Sequence, residues 1–143
     1  MLFDSSSGGN IHPIFTIAAV ARDGSNNLWV YFGTGDKNDP TAPNAQEKFV
    51  ALKDNDRTTT YTYSSLENIT SAGSTYSGTG DGWYINMTGQ GEKILSDPTV
   101  FGGVVYFTTY PPPIGNDPCA QGGTATLYGV GYIARMTRAS MTE

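Results

Sequence analysis

Few residues of this 143-residue chain carry side chains suited to chemistry, and none completes a reactive constellation. His12, the sole histidine, stands directly before Pro13. Neither a histidine metal site nor a Ser–His–acid triad can be assembled around it, and a solvated histidine at a strand entrance is expected. Glu47, Glu67 and Glu92 offer carboxylates for glycoside chemistry, which needs two of them about 5–10 Å apart. They fall in separate polar stretches, and nothing in their spacing brings a pair together. Gly33-Thr34-Gly35-Asp36 and Gly78-Thr79-Gly80-Asp81-Gly82 look like phosphate loops only superficially. Neither is followed by a Lys-Ser/Thr pair or opens a periodic helix, so these glycines are expected to serve strand ends. Asp36-Lys37-Asn38-Asp39 and Asp54-Asn55-Asp56 are the acidic runs that a calcium site would draw on. Calcium gathers about six to eight oxygens, in short loops through alternating carboxylates. Each run supplies at most three such residues, and both read as turns in which Asp and Asn tolerate the backbone. No catalytic, cofactor-binding or metal-ligating residue is assigned, and no cofactor is expected.

The elements that would have to position any site are strands. The chain has 18 Gly, 9 Tyr and 6 Phe, and only 15% of its residues are charged, against about 25% in an average soluble chain. A neutral-polar surface rich in Ser, Thr, Asn and Gly follows, of the kind common outside cells. The net charge of −5 leaves no basic stripe for phosphates, so nucleic acid is not an expected partner. The longest apolar run, Ile14 to Ala21, is far shorter than the roughly 20 residues a membrane-crossing helix needs. Met1-Leu2-Phe3 passes at once into Asp4-Ser5-Ser6-Ser7, without the apolar core of a signal peptide. If the protein is exported, its signal would stand upstream, and the chain would be a piece of a longer polypeptide. The lone Cys119 has no partner within the chain and is either free or paired outside it. Asn68-Ile69-Thr70 and Asn86-Met87-Thr88 fit the glycosylation acceptor pattern, and chance accounts for both.

Along the chain, Ile14 to Ala21 and Leu28-Trp29-Val30-Tyr31-Phe32 read as two strands of a hairpin turning at Asp23-Gly24-Ser25-Asn26-Asn27. A third strand covers Lys48 to Lys53. Alternating Thr and Tyr from Thr58 to Tyr63 predict an exposed strand. Residues 64–80 read as an excursion with one short helical turn near Ser65-Leu66-Glu67-Asn68. Trp83 to Met87 forms the next strand. Asp97 to Phe101, Val104 to Thr109 and Thr126 to Val130 follow, separated by Gly102-Gly103 and by a loop from Pro111 to Gly123. The tail from Arg135 to Glu143 shows no strand pattern.

The two halves are similar. Val30-Tyr31-Phe32-Gly33-Thr34 matches Val105-Tyr106-Phe107-Thr108-Thr109 at an offset of 75, and Phe49-Val50-Ala51-Leu52 matches Leu127-Tyr128-Gly129-Val130 at an offset of 78. Short strands recurring in the same order mark an internal repeat of the kind found in propeller blades. The offset exceeds the usual blade length of about 40–50 residues, and the surplus is assigned to the insertion before Trp83. The expected architecture is all-β: antiparallel blades of a partial β-propeller, about two of them in residues 1–132, with 133–143 as a tail.

Several of these segments together resemble the C-terminal β-propeller of the PilY1-type proteins: Leu28 to Gly35, Gly82 to Ile85, Gly89 to Lys93 and Asp97 to Thr109. Pro118-Cys119 and Gly122-Gly123 ahead of Leu127-Tyr128 belong to the same resemblance, which spans roughly residues 10–132. It implies a non-catalytic tip or assembly factor of the type IV pilus, exported through the periplasm to the fimbrium, serving pilus biogenesis, twitching motility and cell adhesion. Pilins or minor pilins would be partners, and the rest of the parent polypeptide or another subunit would cover the sheet edges. The family's calcium loop has alternating Asp or Asn ligands, and neither acidic run here has the full alternation. A quinoprotein dehydrogenase would need adjacent cysteines and a full ring of blades, against the single cysteine and about two blades here. The alternative is an extracellular filament or matrix subunit that assembles through sheet edges. Trp29, Tyr31, Trp83 and Tyr84 are candidate interface anchors, although alternation turns about half of such residues into the core.

Overall fold

A computed structural model describes residues 2–7, 9–42, 46–55, 58–113, 125–131 and 136–137. Two very short strands, β1 (Ser6–Ser7) and β2 (Asn10–Ile11), pair with each other near the N-terminus. Then come β3 (Ala19–Arg22), β4 (Leu28–Gly33) and β5 (Lys48–Lys53), a single 3-10 turn at Tyr63–Ser65, β6 (Glu67–Asn68) and β7 (Gly82–Asn86). The second half holds β8 (Thr99–Phe101), β9 (Val104–Thr109), β10 (Thr126–Gly131) and β11 (Met136–Thr137). The fold is all-β and its main sheets are built from antiparallel pairs.

Each half is a meander. In the first sheet β3, β4, β5 and β7 lie side by side, each antiparallel to the next, and β6 adds a parallel edge beyond β7. In the second sheet β8, β9, β10 and β11 repeat that order. The register repeats too. Tyr31 pairs with Ala51 across β4 and β5, and Tyr106 pairs with Gly129 across β9 and β10. These are the residues that the offsets of 75 and 78 make equivalent. No sheet closes on itself among the described strands.

Strand pleating gives each sheet two faces. In the first sheet Trp29, Tyr31, Phe49, Ala51, Trp83 and Ile85 share one face, here termed the leading face. Val30, Phe32, Val50, Leu52 and Tyr84 share the trailing face. The offset of 75 makes Tyr106 the counterpart of Tyr31, and Phe107 that of Phe32. The main core joins the leading face of the first sheet to Val105, Phe107, Tyr128 and Val130, which lie on the trailing face of the second. Phe49 stacks on Phe107 at 3.8 Å between centroids, and Phe107 on Tyr128 at 4.9 Å. The first strands of the two sheets, β3 and β8, also lie against each other. The sheets therefore stack head to tail.

A second core covers the trailing face of the first sheet. Phe3, Tyr61, Tyr63 and Leu66 pack there on Phe32, Val50 and Leu52. The insertion between β5 and β7 supplies three of those covering residues, which explains its length.

Three expectations need correction. Residues 14–18 are not strand, and β3 begins only at Ala19. The Thr16 hydroxyl both donates to the Gly33 carbonyl and accepts from the Gly33 amide, while the Ile17 amide bonds Asp97 Oδ1 at 2.8 Å. Side chains thus occupy the positions where a ladder would run. Thr58–Tyr63 is not an exposed strand: Tyr61 and Tyr63 are buried, and a lone parallel bridge ties Phe3 to Tyr61. Finally, the tail holds a strand after all, since β11 pairs with β10 at Val130 and Met136. Cys119, Pro118, Gly122 and Gly123 lie outside the described residues, as does most of the 111–123 loop. Among the described residues no helix is long and apolar enough to cross a membrane.

Candidate functional site

The most concentrated set of ionisable side chains lies where β4 ends and β5 begins. Thr34 directly follows β4, Glu47 directly precedes β5, and both are buried. The Glu47 carboxylate oxygen Oε2 accepts from Thr34 Oγ1 at 2.6 Å and from His12 Nδ1 at 3.0 Å. Since a carboxylate only accepts, the proton of that contact sits on Nδ1 of the imidazole. Thr34 Oγ1 in turn accepts from the Lys48 amide at 2.9 Å. His12 is only 3% exposed, so the expectation of a solvated histidine is corrected: it is an internal clamp holding the N-terminal segment to the start of β5. Both donors converge on one carboxylate oxygen, and the hydroxyl proton points at Glu47 rather than at the imidazole. The geometry ties the N-terminal segment and the end of β4 to the start of β5.

Beside this node lies a cavity of about 230 Å³ bordered by Asp36, Asp39, Glu47 and Lys93. The Lys93 ammonium is buried and donates to the Ala42 carbonyl at 2.6 Å and the Gly91 carbonyl at 3.1 Å. Asp36 Oδ1 accepts the Asn38 amide at 2.8 Å, and Asp39 Oδ1 accepts the Thr41 hydroxyl. The first acidic run is therefore a pair of side-chain-closed turns. In the second, Asp56 lies outside the described residues. Among the described residues no three His, Cys, Asp or Glu side chains are grouped to hold a metal ion.

The second sheet carries a matching node. Thr109, the counterpart of Thr34, donates to Glu92 Oε1 at 2.6 Å, and Tyr128 donates to the same oxygen at 3.3 Å. The other oxygen of Glu92 accepts the Gly89 amide at 2.9 Å. Each repeat thus ends its second strand in a buried threonine bonded to a buried glutamate, although the two glutamates enter from different connections. Glu67 belongs to neither node; it gathers the Ser77 amide and hydroxyl and the Gly80 amide. Burial works against its charge, yet those donors and Lys53 outweigh it and hold the carboxyl below the ordinary range. The three glutamates thus sit in three separate networks.

Electrostatics elsewhere follow the same structural logic. Asp23 closes the β3–β4 turn by accepting from Trp29 Nε1, from Asn27 Nδ2 and from the Ser25 and Asn27 amides. The Trp29 bond, then the Asn27 side chain, lowers its pKa to about 2. Burial raises the Tyr63 hydroxyl well above its usual value, with Glu47, Tyr84 and Asp4 adding to the effect. Desolvation lowers Lys48, partly countered by Glu47.

In the would-be phosphate loops, Gly33 and Gly82 serve packing. A Cβ on Gly33 would meet the Ile94 side chain at 2.3 Å, and one on Gly82 would sit 2.1 Å from the Ala51 carbonyl. Of the candidate anchors, Trp29, Tyr31 and Trp83 are fully interior and Tyr84 packs on the second core. Among the described residues the large apolar ones left outside are others: Ile11, Ile14, Phe15, Ile17, Val20, Phe101 and Tyr106. Asn68 Oδ1 is held by the Thr70 amide and hydroxyl within its own acceptor triplet. Comparison of the chain with protein-family models, with curated proteins and with solved structures gave no match.

Proposed function

We propose that this chain is a partial β-propeller serving a non-catalytic role in the type IV pilus machinery, at the pilus tip, in assembly and surface adhesion. The observation that carries the propeller part is the repeated register of two four-stranded meanders stacked leading face on trailing face. Blades of a propeller are related in this way. The pilus assignment rests on the resemblance of residues 10–132 to the PilY1-type propeller. A non-catalytic role is supported by what the ionisable groups do: His12, Glu47, Thr34, Glu92 and Lys93 each bind a neighbouring segment of the chain. The reading places the protein outside the cell and assigns it no cofactor. Immunogold labelling of sheared surface filaments with an antibody against this chain tests it. Gold confined to filament ends is the expected result, and gold along the whole length refutes it.

A specific observation favours one other reading, a filament or matrix subunit joined through sheet edges. The edge strands β3 and β8 leave Val20 and Phe101 strongly exposed, and open strand edges of this kind recruit further strands. Labelling along the filament length, with filaments forming from the purified chain alone, would establish it instead.

A further inference from the structure

We infer that the cavity beside the start of β5 is a binding site for a primary alkylammonium group, carried by a lysine of a partner protein or by a small free amine. Such a site holds whether or not the chain belongs to a pilus. The cavity measures about 230 Å³ and is bordered by Asp36, Asp39, Glu47 and Lys93, with Ile11 and Pro13 in its apolar lining. A cavity of about 150 Å³ already admits a molecule the size of benzene, so this one has room for an organic group of several carbons.

The acceptor is built into the fold. Glu47 is only 1% exposed, yet a single one of its carboxylate oxygens is used: Oε2 takes both the Thr34 hydroxyl and His12 Nδ1. Oε1 accepts from no described residue, and the carboxylate that carries it borders the cavity. A buried charged acceptor without a donor is costly, and the cavity is where a donor can enter. His12 and Thr34 also hold the group in place, so it is ordered before any ligand arrives. Asp36 is half-buried and Asp39 exposed. Each spends Oδ1 on its own turn, on the Asn38 amide and the Thr41 hydroxyl, and leaves Oδ2 without a described donor. Lys93 donates to the Ala42 and Gly91 carbonyls and forms no ion pair among the described residues. It offsets one of the three negative charges, and a protonated His12 offsets a second. Negative charge stays in excess in either state.

The acceptors choose among cations. Among the described residues no three His, Cys, Asp or Glu side chains are grouped to hold a metal ion, and calcium asks for about six to eight oxygens at about 2.4 Å. An ammonium is satisfied by three acceptors, set wider at about 2.8 Å. A guanidinium pairs best as a fork on both oxygens of one carboxylate, whereas Glu47, Asp36 and Asp39 each have one oxygen already engaged. A primary ammonium is a compact charge with three separately directed donors, which suits single oxygens from several carboxylates. Ile11 and Pro13 give its alkyl stem an apolar wall, as lysine stems find elsewhere along protein surfaces.

The test is an NMR titration of the full chain that follows the carboxyl carbons of Glu47, Asp36 and Asp39 one by one. The probes are n-butylammonium, n-butanol, and the Nα-acetyl methylamides of lysine and arginine. The Glu47 resonance should move saturably with n-butylammonium. n-Butanol, which keeps the chain and lacks the charge, should bind about tenfold more weakly or worse, the loss of a hydrogen bond between charged groups. The blocked arginine should bind more weakly than the blocked lysine. If the blocked lysine saturates as tightly as n-butylammonium, the site takes a lysine of a partner protein; if n-butylammonium alone saturates, it takes a free amine. Asp36→Asn keeps the acceptor of the Asn38 amide and removes only charge, and Asp36 is chosen because Glu47 also holds His12 and Thr34. It should weaken n-butylammonium by about tenfold and leave the melting temperature unchanged. The inference is overturned by no saturable movement with either ammonium, by the same movement with n-butanol or with sodium ion at equal concentration, or by unchanged affinity in Asp36→Asn. None of these readouts involves pili, so they stand or fall separately from the filament labelling.

Discussion

Replacing Phe107 with alanine removes the ring through which the two sheets meet. Phe107 is 2% exposed and is stacked on Phe49 on one side and Tyr128 on the other. Truncating a buried phenylalanine costs about 3–5 kcal/mol, the lost transfer energy plus the cavity left behind. Aromatic pairs add roughly 0.5–1.5 kcal/mol each beyond burial, and with two partners the loss belongs at the upper end, about 5 kcal/mol. A domain holds only about 5–15 kcal/mol in all, so the variant should be marginal. Urea unfolding is the assay, followed by the emission of Trp29 and Trp83, both part of the core that Phe107 completes. With a slope of about 2 kcal/mol per molar urea, the midpoint should fall by about 2–3 M. Phe101→Ala is the control: it removes the same ring from the same hairpin, but on the open face, and should stay within about 0.5 kcal/mol of the parent. A loss below about 1 kcal/mol for Phe107→Ala, or equal losses for the two variants, would refute the stacking described.

Glu47→Leu leaves the buried His12 donor without its acceptor and the Thr34 hydroxyl with only the longer bond to the Lys48 carbonyl at 3.3 Å; with about 1–3 kcal/mol for the unsatisfied group and about 1 kcal/mol for the weakened hydroxyl, the expected cost is about 2–4 kcal/mol by thermal unfolding, with Glu47→Gln costing less. Asp23 should titrate with a midpoint of about 2 when its carboxyl carbon is followed by NMR. Its folded pKa is depressed, so the stability it contributes is present above the unfolded value of about 3.9 and is lost as pH falls through about 2. A midpoint near the unfolded value would contradict the Trp29 and Asn27 bonds, and Trp29→Phe should move it upward. Gly33→Ala drives a methyl into Ile94 and should cost about 1–3 kcal/mol, a drop in melting temperature of about 3–10 °C. Ile94→Ala in the same chain should recover part of it, since the two sites share one contact.

How much of this was legible beforehand depended on whether the signal was local. The strand from Lys48 to Lys53 was bounded correctly because a polar turn stops it on each side. The repeat was legible to the residue, because the matching apolar runs recur at nearly constant offsets and a one-residue slip would turn each of them to the other face. His12 was not: its partner Glu47 is 35 residues away, and neither neighbour of His12 hints at a buried carboxylate. Residues 14–18 misled for a related reason. Their apolar character is that of a strand, but Asp97 and Thr16 side chains take the backbone groups that a ladder would have used. In Thr58–Tyr63 the alternation was real and the face was wrong, because the inserted segment folds back onto the trailing face instead of extending a sheet edge.

The faces of β4 and β9 show why burial is harder to read than strand identity. A strand packed on one side alternates apolar and polar residues, whereas one packed on both sides is apolar throughout. In β4, Trp29 and Tyr31 fill one core while Val30 and Phe32 fill the other. Strand β9 has the same continuous apolar run, Val104-Val105-Tyr106-Phe107, yet only Val105 and Phe107 reach a core. A continuous apolar run therefore identifies β9 as a strand without telling how many of its faces are covered. Had β9 evolved for a surface position, the places of Val104 and Tyr106 would suit Thr, Lys or Glu at little cost. Val and Tyr stand there instead, at the positions where β4 carries Trp29 and Tyr31, so the two strands are alike in sequence and differ only in what covers them.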